Sequence, residues 1–121
     1  MSDRPPARRL VLAAFWIFAG TMHFVIPRTY QAIMPRYLER WKRELVAASG
    51  AAEIAGGLAV LPERTHRAGR WWLLATLVAI FPANINMAVN AQDFRKIPEP
   101  LLWARLPFQG VFAWFIWRCT R

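Results

Sequence analysis

The chain has 121 residues, 56% of them hydrophobic, with seven Trp, eight Phe and a net charge of +9. A soluble domain of this length has too little interior for so much large apolar surface, so the composition points to a single domain, residues 1–121, solvated by lipid. Lys and Arg fall in short segments between apolar runs, which suits lipid headgroups and argues against a nucleic-acid partner, and a lone cysteine excludes an intrachain disulfide or CxxC redox pair.

The first apolar run, Arg9 to Ile26, follows the basic tail "RPPARR" as a signal peptide's core would. It is long for that role and "GTMHFVIP" offers no small-x-small cleavage site, so it reads as a retained span. Trp16, Gly20, His23 and Pro27 share one side of it. The connection "PRTYQAIMPRYLERWKR" follows. Its Tyr30, Ile33, Met34, Tyr37, Leu38 and Trp41 recur at helical intervals, predicting a short amphipathic helix broken near Pro35 and lying on the membrane surface.

Three more runs follow, Glu44 to Leu61, Arg70 to Asn90 and Leu101 to Trp117. At about 1.5 Å per residue each covers most of a hydrocarbon layer about 30 Å thick, so the expected fold class is an all-α membrane protein with a four-transmembrane-helix bundle. Such a bundle places both termini and the second connection on one side. Lys and Arg divide almost evenly between the sides, and Arg8 and Arg9 at the start of the first span favour cytoplasmic termini. Trp71, Trp72, Trp103, Trp114 and Trp117 read as interface anchors. Cys119 reads as an unpaired thiol at the interface, with palmitoylation as the alternative.

Polar side chains inside a span are costly unless they face protein or water. Here these are His23, Glu53, Asn84, Asn86, Asn90, Arg105 and Gln109. Taken by depth, those from the first, third and fourth runs converge on one half of the bilayer, with Glu53 near its middle. Asn86 and Asn90 share a helix face, as do Arg105 and Gln109. Ser49, Glu53, Gly56 and Gly57 form a small, polar stripe that permits close approach. Pro82 removes the hydrogen bond to the Val78 carbonyl, and Asn84 points away from Asn86 toward a helix contact. Two readings stand: helix glue, or a cavity formed by His23, Glu53, Asn86, Asn90, Arg105 and Gln109 around a ligand. Either way Glu53 and Arg105, opposite charges deep in the spans, are expected to approach one another. His23 and His66 fall on opposite sides, so no histidine metal site is expected, and no catalytic constellation stands out.

The segments "FAGTMHFVIPRTYQAIMP", "SGAAEIAGGLAVLPERTHRAG" and "LVAIFPANINMAVN" resemble the DoxX-like family of small bacterial membrane proteins over roughly Phe15 to Trp117. The motif positions are Gly20, His23, Phe24 and Pro27, then Glu53, Gly56 and Gly57, then Phe81 to Met87. The resemblance implies a four-helix membrane bundle with a loose connection to membrane redox systems. Without paired cysteines the chain departs from relatives that use dithiol chemistry. The expected function is an accessory subunit, not an enzyme on its own, that binds a quinone-like molecule and partners the bilayer, other redox subunits or a second copy of itself. In that scheme Trp16 and Phe24 wall the ligand ring. The alternatives are a structural or assembly partner with no ligand, and a small proton-coupled transporter with Pro82 as hinge.

Overall fold

The structure, a computed structural model, describes residues 5–32, 36–89 and 99–121. Its elements are α1 (Ala7–Val25), α2 (Pro27–Ala32), a 3-10 turn (Arg36–Trp41), α3 (Lys42–Ala59), α4 (His66–Val89) and α5 (Glu99–Thr120). Among the described residues there is no strand, and the fold is all-α. The long helices overlie the predicted apolar runs with shifted ends: α1 and α3 stop short of Ile26 and Leu61, while α4 starts at His66.

Local chemistry sets several of these ends. The Ile26 N–H still donates to the Met22 carbonyl at 2.9 Å, but Pro27 has no N–H to continue the ladder and its fixed φ suits a first helical position. The chain therefore turns at Pro27 and starts α2. The predicted surface helix is thus two short pieces, α2 and the 3-10 turn; Ile33, Met34 and Pro35 lie outside the described residues.

α1 packs on α3, α3 on α4, α4 on α5, and α5 returns to α1, closing a ring of long helices. Their directions follow from arginines at one end. Arg8 Nη2 donates to the Arg121 main-chain oxygen at 2.8 Å, and Arg9 Nη1 donates to the Val60 and Leu61 carbonyls at 3.2 and 3.3 Å. Arg70 donates to the Thr120 hydroxyl and carbonyl at 2.7 and 2.5 Å. The start of α1, the end of α3, the start of α4 and the end of α5 meet there, so the helices run alternately up and down. Cations suit this place, because the last carbonyls of a helix lack intrahelical donors and carry its negative dipole end.

Arg9 is the most committed of the three, buried while its second nitrogen pairs with Glu63 Oε2 at 2.8 Å. Replacing Arg9 by Met keeps the stem but strips the end of α3 of its donors. The expected loss is about 1.5–3 kcal/mol, the range for hydrogen bonds to charged groups, read as a lowered Tm.

α1 and α3 approach closely because glycines face each other. A Cβ at Gly20 would stand 2.5 Å from the Gly50 carbonyl oxygen, and one at Gly50 would stand 2.7 Å from His23 Cβ. Gly57 also faces α1, at Ile17, whereas its neighbour Gly56 faces Leu73 and Trp72 of α4. The stripe predicted on α3 thus serves two neighbouring helices.

The core is small: Leu12, Ala13, Trp16, Val60, Leu73, Leu77, Ile116 and Cys119. The outside carries Phe18, Leu58, Trp71, Val78, Phe108 and Trp114, all exposed, while Arg9, His23 and Glu53 are buried. Three ionisable side chains are thus interior while large apolar side chains lie on the surface. Among the described residues, α1 is the one helix long and apolar enough to cross a membrane, with 19 residues at a mean hydropathy of 1.2. α3 falls short because Lys42, Arg43, Glu44 and Glu53 lower its hydropathy.

Pro82 lies inside α4 and Pro107 inside α5, two helices packed against each other. Both Pro82 and Val78 face outward, so the missing hydrogen bond at the Val78 carbonyl arises on the outer side of α4.

Candidate functional site

The buried polar centre forms where α1 crosses α3. His23, in the last turn of α1, is 7% exposed; Glu53, in the middle of α3, is 4% exposed. His23 Nε2 stands 2.9 Å from Glu53 Oε2. The other ring nitrogen, Nδ1, faces the Val46 carbonyl at 3.1 Å and the Ser49 hydroxyl at 3.5 Å. The glycines bring this about: without Cβ atoms at Gly20 and Gly50 the helices reach a separation at which His23 touches the α3 backbone.

The partners fix the proton count. A carbonyl only accepts, so Nδ1 carries a proton directed at Val46. At 2.9 Å a bare imidazole lone pair would face a carboxylate oxygen, so a proton also lies between Nε2 and Oε2. The pair is then either imidazolium with carboxylate or imidazole with carboxylic acid. Both forms are neutral overall, as a low-dielectric interior requires of any buried titratable pair.

Glu53 Oε2 thus has His23 Nε2 as its described partner. A buried polar atom without a hydrogen-bond partner is the indole N–H of Trp16, which is 3% exposed. Trp16 lies one helical turn before Gly20 on α1, and Gly20 packs against Glu53. An orphaned buried donor costs about 1–3 kcal/mol, which an acceptor on a bound molecule would recover.

Tyr30 completes the centre, its ring stacked on the His23 imidazole with centroids 4.0 Å apart and planes at 26°. Sequence periodicity assigned Tyr30 to the apolar face of a surface helix. It instead reaches His23 because the turn at Pro27 sends α2 back over the end of α1 and against α3. Pro27, which closes the segment of Gly20, His23 and Phe24, was the available signal for that reversal.

The remaining predicted residues divide. Gln109 Nε2 donates to the Leu77 carbonyl at 2.9 Å, tying α5 to α4 one residue before the carbonyl that Pro82 leaves unmatched. Asn90 lies outside the described residues, and so do the side chains of Asn84, Asn86 and Arg105, although those three residues are helical. The expected Glu53–Arg105 approach therefore falls outside them, and the described partner of Glu53 is His23. Phe24, expected to wall a ligand, has a half-exposed ring; Trp16 is interior, against Phe15 and Phe112. Trp72 faces out but donates its indole N–H to the Ala52 carbonyl at 2.8 Å, pinning α4 to α3. Among the described residues no group of three or more His, Cys, Asp or Glu is placed to hold a metal ion.

Residues 12–120 match the family described as Domain of unknown function (DUF8561). The chain belongs to that family. The match spans every long helix from Leu12 of α1 to Thr120 of α5, and so includes His23, Tyr30 and Glu53. No curated protein and no solved structure matches the chain.

Proposed function

We propose that all four long helices cross a bilayer, and that the chain is an accessory membrane subunit binding a quinone-like molecule at the His23–Glu53 centre. The observation that carries the ligand reading is the buried Trp16 indole N–H without a hydrogen-bond partner, on the same face of α1 as His23, whose ring pairs with Glu53 under the Tyr30 ring. A ring bearing a carbonyl would accept from the Trp16 N–H, and its reduced hydroxyl form would donate to Glu53. The shared proton between His23 and Glu53 suits a ligand that gains and loses protons with its electrons. The redox connection rests on the DoxX-like resemblance alone. The apolar exterior supports the four-span reading, and a multi-pass inner-membrane location with cytoplasmic termini goes with it.

One observation favours a second reading, a scaffold or assembly partner without a ligand. Gln109 bonds to the Leu77 carbonyl, and the glycine contacts lock α1 to α3, which is how polar and small residues act as helix glue. Mass spectrometry of the organic extract from gently purified protein separates the two. The ligand reading expects a near-stoichiometric aromatic carbonyl compound, reduced at least about tenfold in Glu53→Gln, a loss worth about 1.4 kcal/mol. An extract holding only phospholipid, from wild type and variant alike, gives the case to the scaffold.

A further inference from the structure

The arginine-bearing end of the bundle has more charge than its fold uses. Three of its arginines have internal work: Arg8 at the Arg121 main-chain oxygen, Arg9 at the end of α3, and Arg70 at the end of α5. Arg64, Arg67, Arg118 and Arg121 are exposed at the same end, on the turn between α3 and α4, the first turn of α4 and the end of α5. Among the described residues the acid at this end is Glu63, which pairs with Arg9. The opposite end is better matched, with Lys42 on Glu39 at 2.6 Å and the Arg40 guanidinium over the Trp41 ring.

Next to the surplus cations stands an aromatic band. Trp71 and Trp117 are exposed and meet edge to face with centroids 5.9 Å apart, and the Arg70 guanidinium lies 4.5 Å over the Trp117 ring. Indoles beside apolar surface on one side and guanidinium groups on the other match the headgroup layer of a membrane, where amphipathic rings sit and phosphates accept bidentate hydrogen bonds.

We infer that this end binds the phosphates of anionic phospholipids, and that this attachment, not an even count of charges, fixes which leaflet the termini face. The inference rests on the membrane reading above but not on the quinone. Its occupant is a lipid and not free phosphate, because the arginines adjoin exposed indoles and apolar side chains that an inorganic anion would leave in water.

The test compares wild type with the fourfold variant Arg64→Gln, Arg67→Gln, Arg118→Gln, Arg121→Gln, which leaves Arg8, Arg9 and Arg70 in their helix-end contacts. Both are reconstituted into phosphatidylcholine vesicles with and without phosphatidylglycerol. Lipid retained through gentle detergent extraction is counted by native mass spectrometry, and Tm in detergent verifies folding. The expected result is insertion of both proteins into either vesicle, with wild type enriched in phosphatidylglycerol and the enrichment falling about fivefold per removed charge, in line with the strength of a basic residue at an anionic surface. High salt should lower the wild-type enrichment as well. Equal retention of both lipids by wild type, unchanged enrichment in a folded variant, or displacement of the lipid by inorganic phosphate would each overturn the inference. Failure of wild type to insert into phosphatidylcholine would instead overturn the membrane reading, and this inference with it.

Discussion

Replacing Glu53 by Leu is expected to destabilise the bundle by about 3–5 kcal/mol, the usual cost of removing one partner from a buried ion pair. The reason is local: with Glu53 gone, His23 Nε2 faces the interior with no partner, while Nδ1 stays committed to the Val46 carbonyl. Glu53→Gln should be milder, since its amide can still donate to a neutral Nε2 in nearly the same volume. The double variant His23→Leu/Glu53→Leu should recover most of the loss, because well-packed apolar residues often replace a buried pair at little cost. Thermal unfolding of wild type, His23→Leu, Glu53→Leu and the double variant in detergent gives the coupling energy directly. A Glu53→Leu loss under about 0.5 kcal/mol, the level of an ordinary surface substitution, would mean the pair is not buried as described.

Gly20→Val is the second large effect. Its Cβ would lie 2.5 Å from the Gly50 carbonyl oxygen, 2.8 Å from Ile54 Cγ1 and 3.0 Å from Glu53 Cβ. A side chain end can swing aside, but a helix carbonyl cannot. α1 and α3 must therefore separate, which also pulls His23 away from Glu53 and Val46. Overpacking of this kind costs about 1–3 kcal/mol by itself, and disrupting the buried pair adds to it. Gly20→Ala sets two terms against each other: a helix-propensity gain of about 1 kcal/mol and the same backbone clash, which should win. Gly110→Ala is the control. A Cβ there meets nothing within 4 Å, so it should raise Tm by virtue of propensity alone. Stabilisation by both alanines would show that α1 and α3 are not in close contact.

These two sites also show where the sequence was informative. Long apolar runs broken by charged connections announced the helices, and the cost of a carboxylate in such a run announced that Glu53 points inward. Helical spacing grouped Trp16, Gly20, His23 and Pro27; the first three are buried on α1, whereas Pro27 starts α2. Spacing within a helix says nothing, however, about which helix lies opposite. Charge complementarity suggested Arg105 for Glu53, a pairing that lies outside the described residues, and the partner that the glycine contacts bring to Glu53 is His23. Gly50, which sets that contact, was legible in principle, seven residues before Gly57 on the same face of α3. The placement of Tyr30 was not, because it depends on how the chain turns at Pro27 and where α2 then docks. Nor was the burial of Arg9, which read as a surface charge until the end of α3 was found to lie on it.

Two-sided cysteine labelling in sealed vesicles tests the central claim, a four-span bundle with alternating helices, most directly. In a Cys119→Ser background, one variant carries Thr65→Cys, on the exposed turn between α3 and α4, and another Arg40→Cys, on the exposed 3-10 turn before α3. The account predicts that a membrane-impermeant maleimide reaches the two cysteines from opposite sides, and that both proteins stay in the membrane through alkaline carbonate washing. Labelling of both from the same side, or release of the protein by the wash, would contradict it.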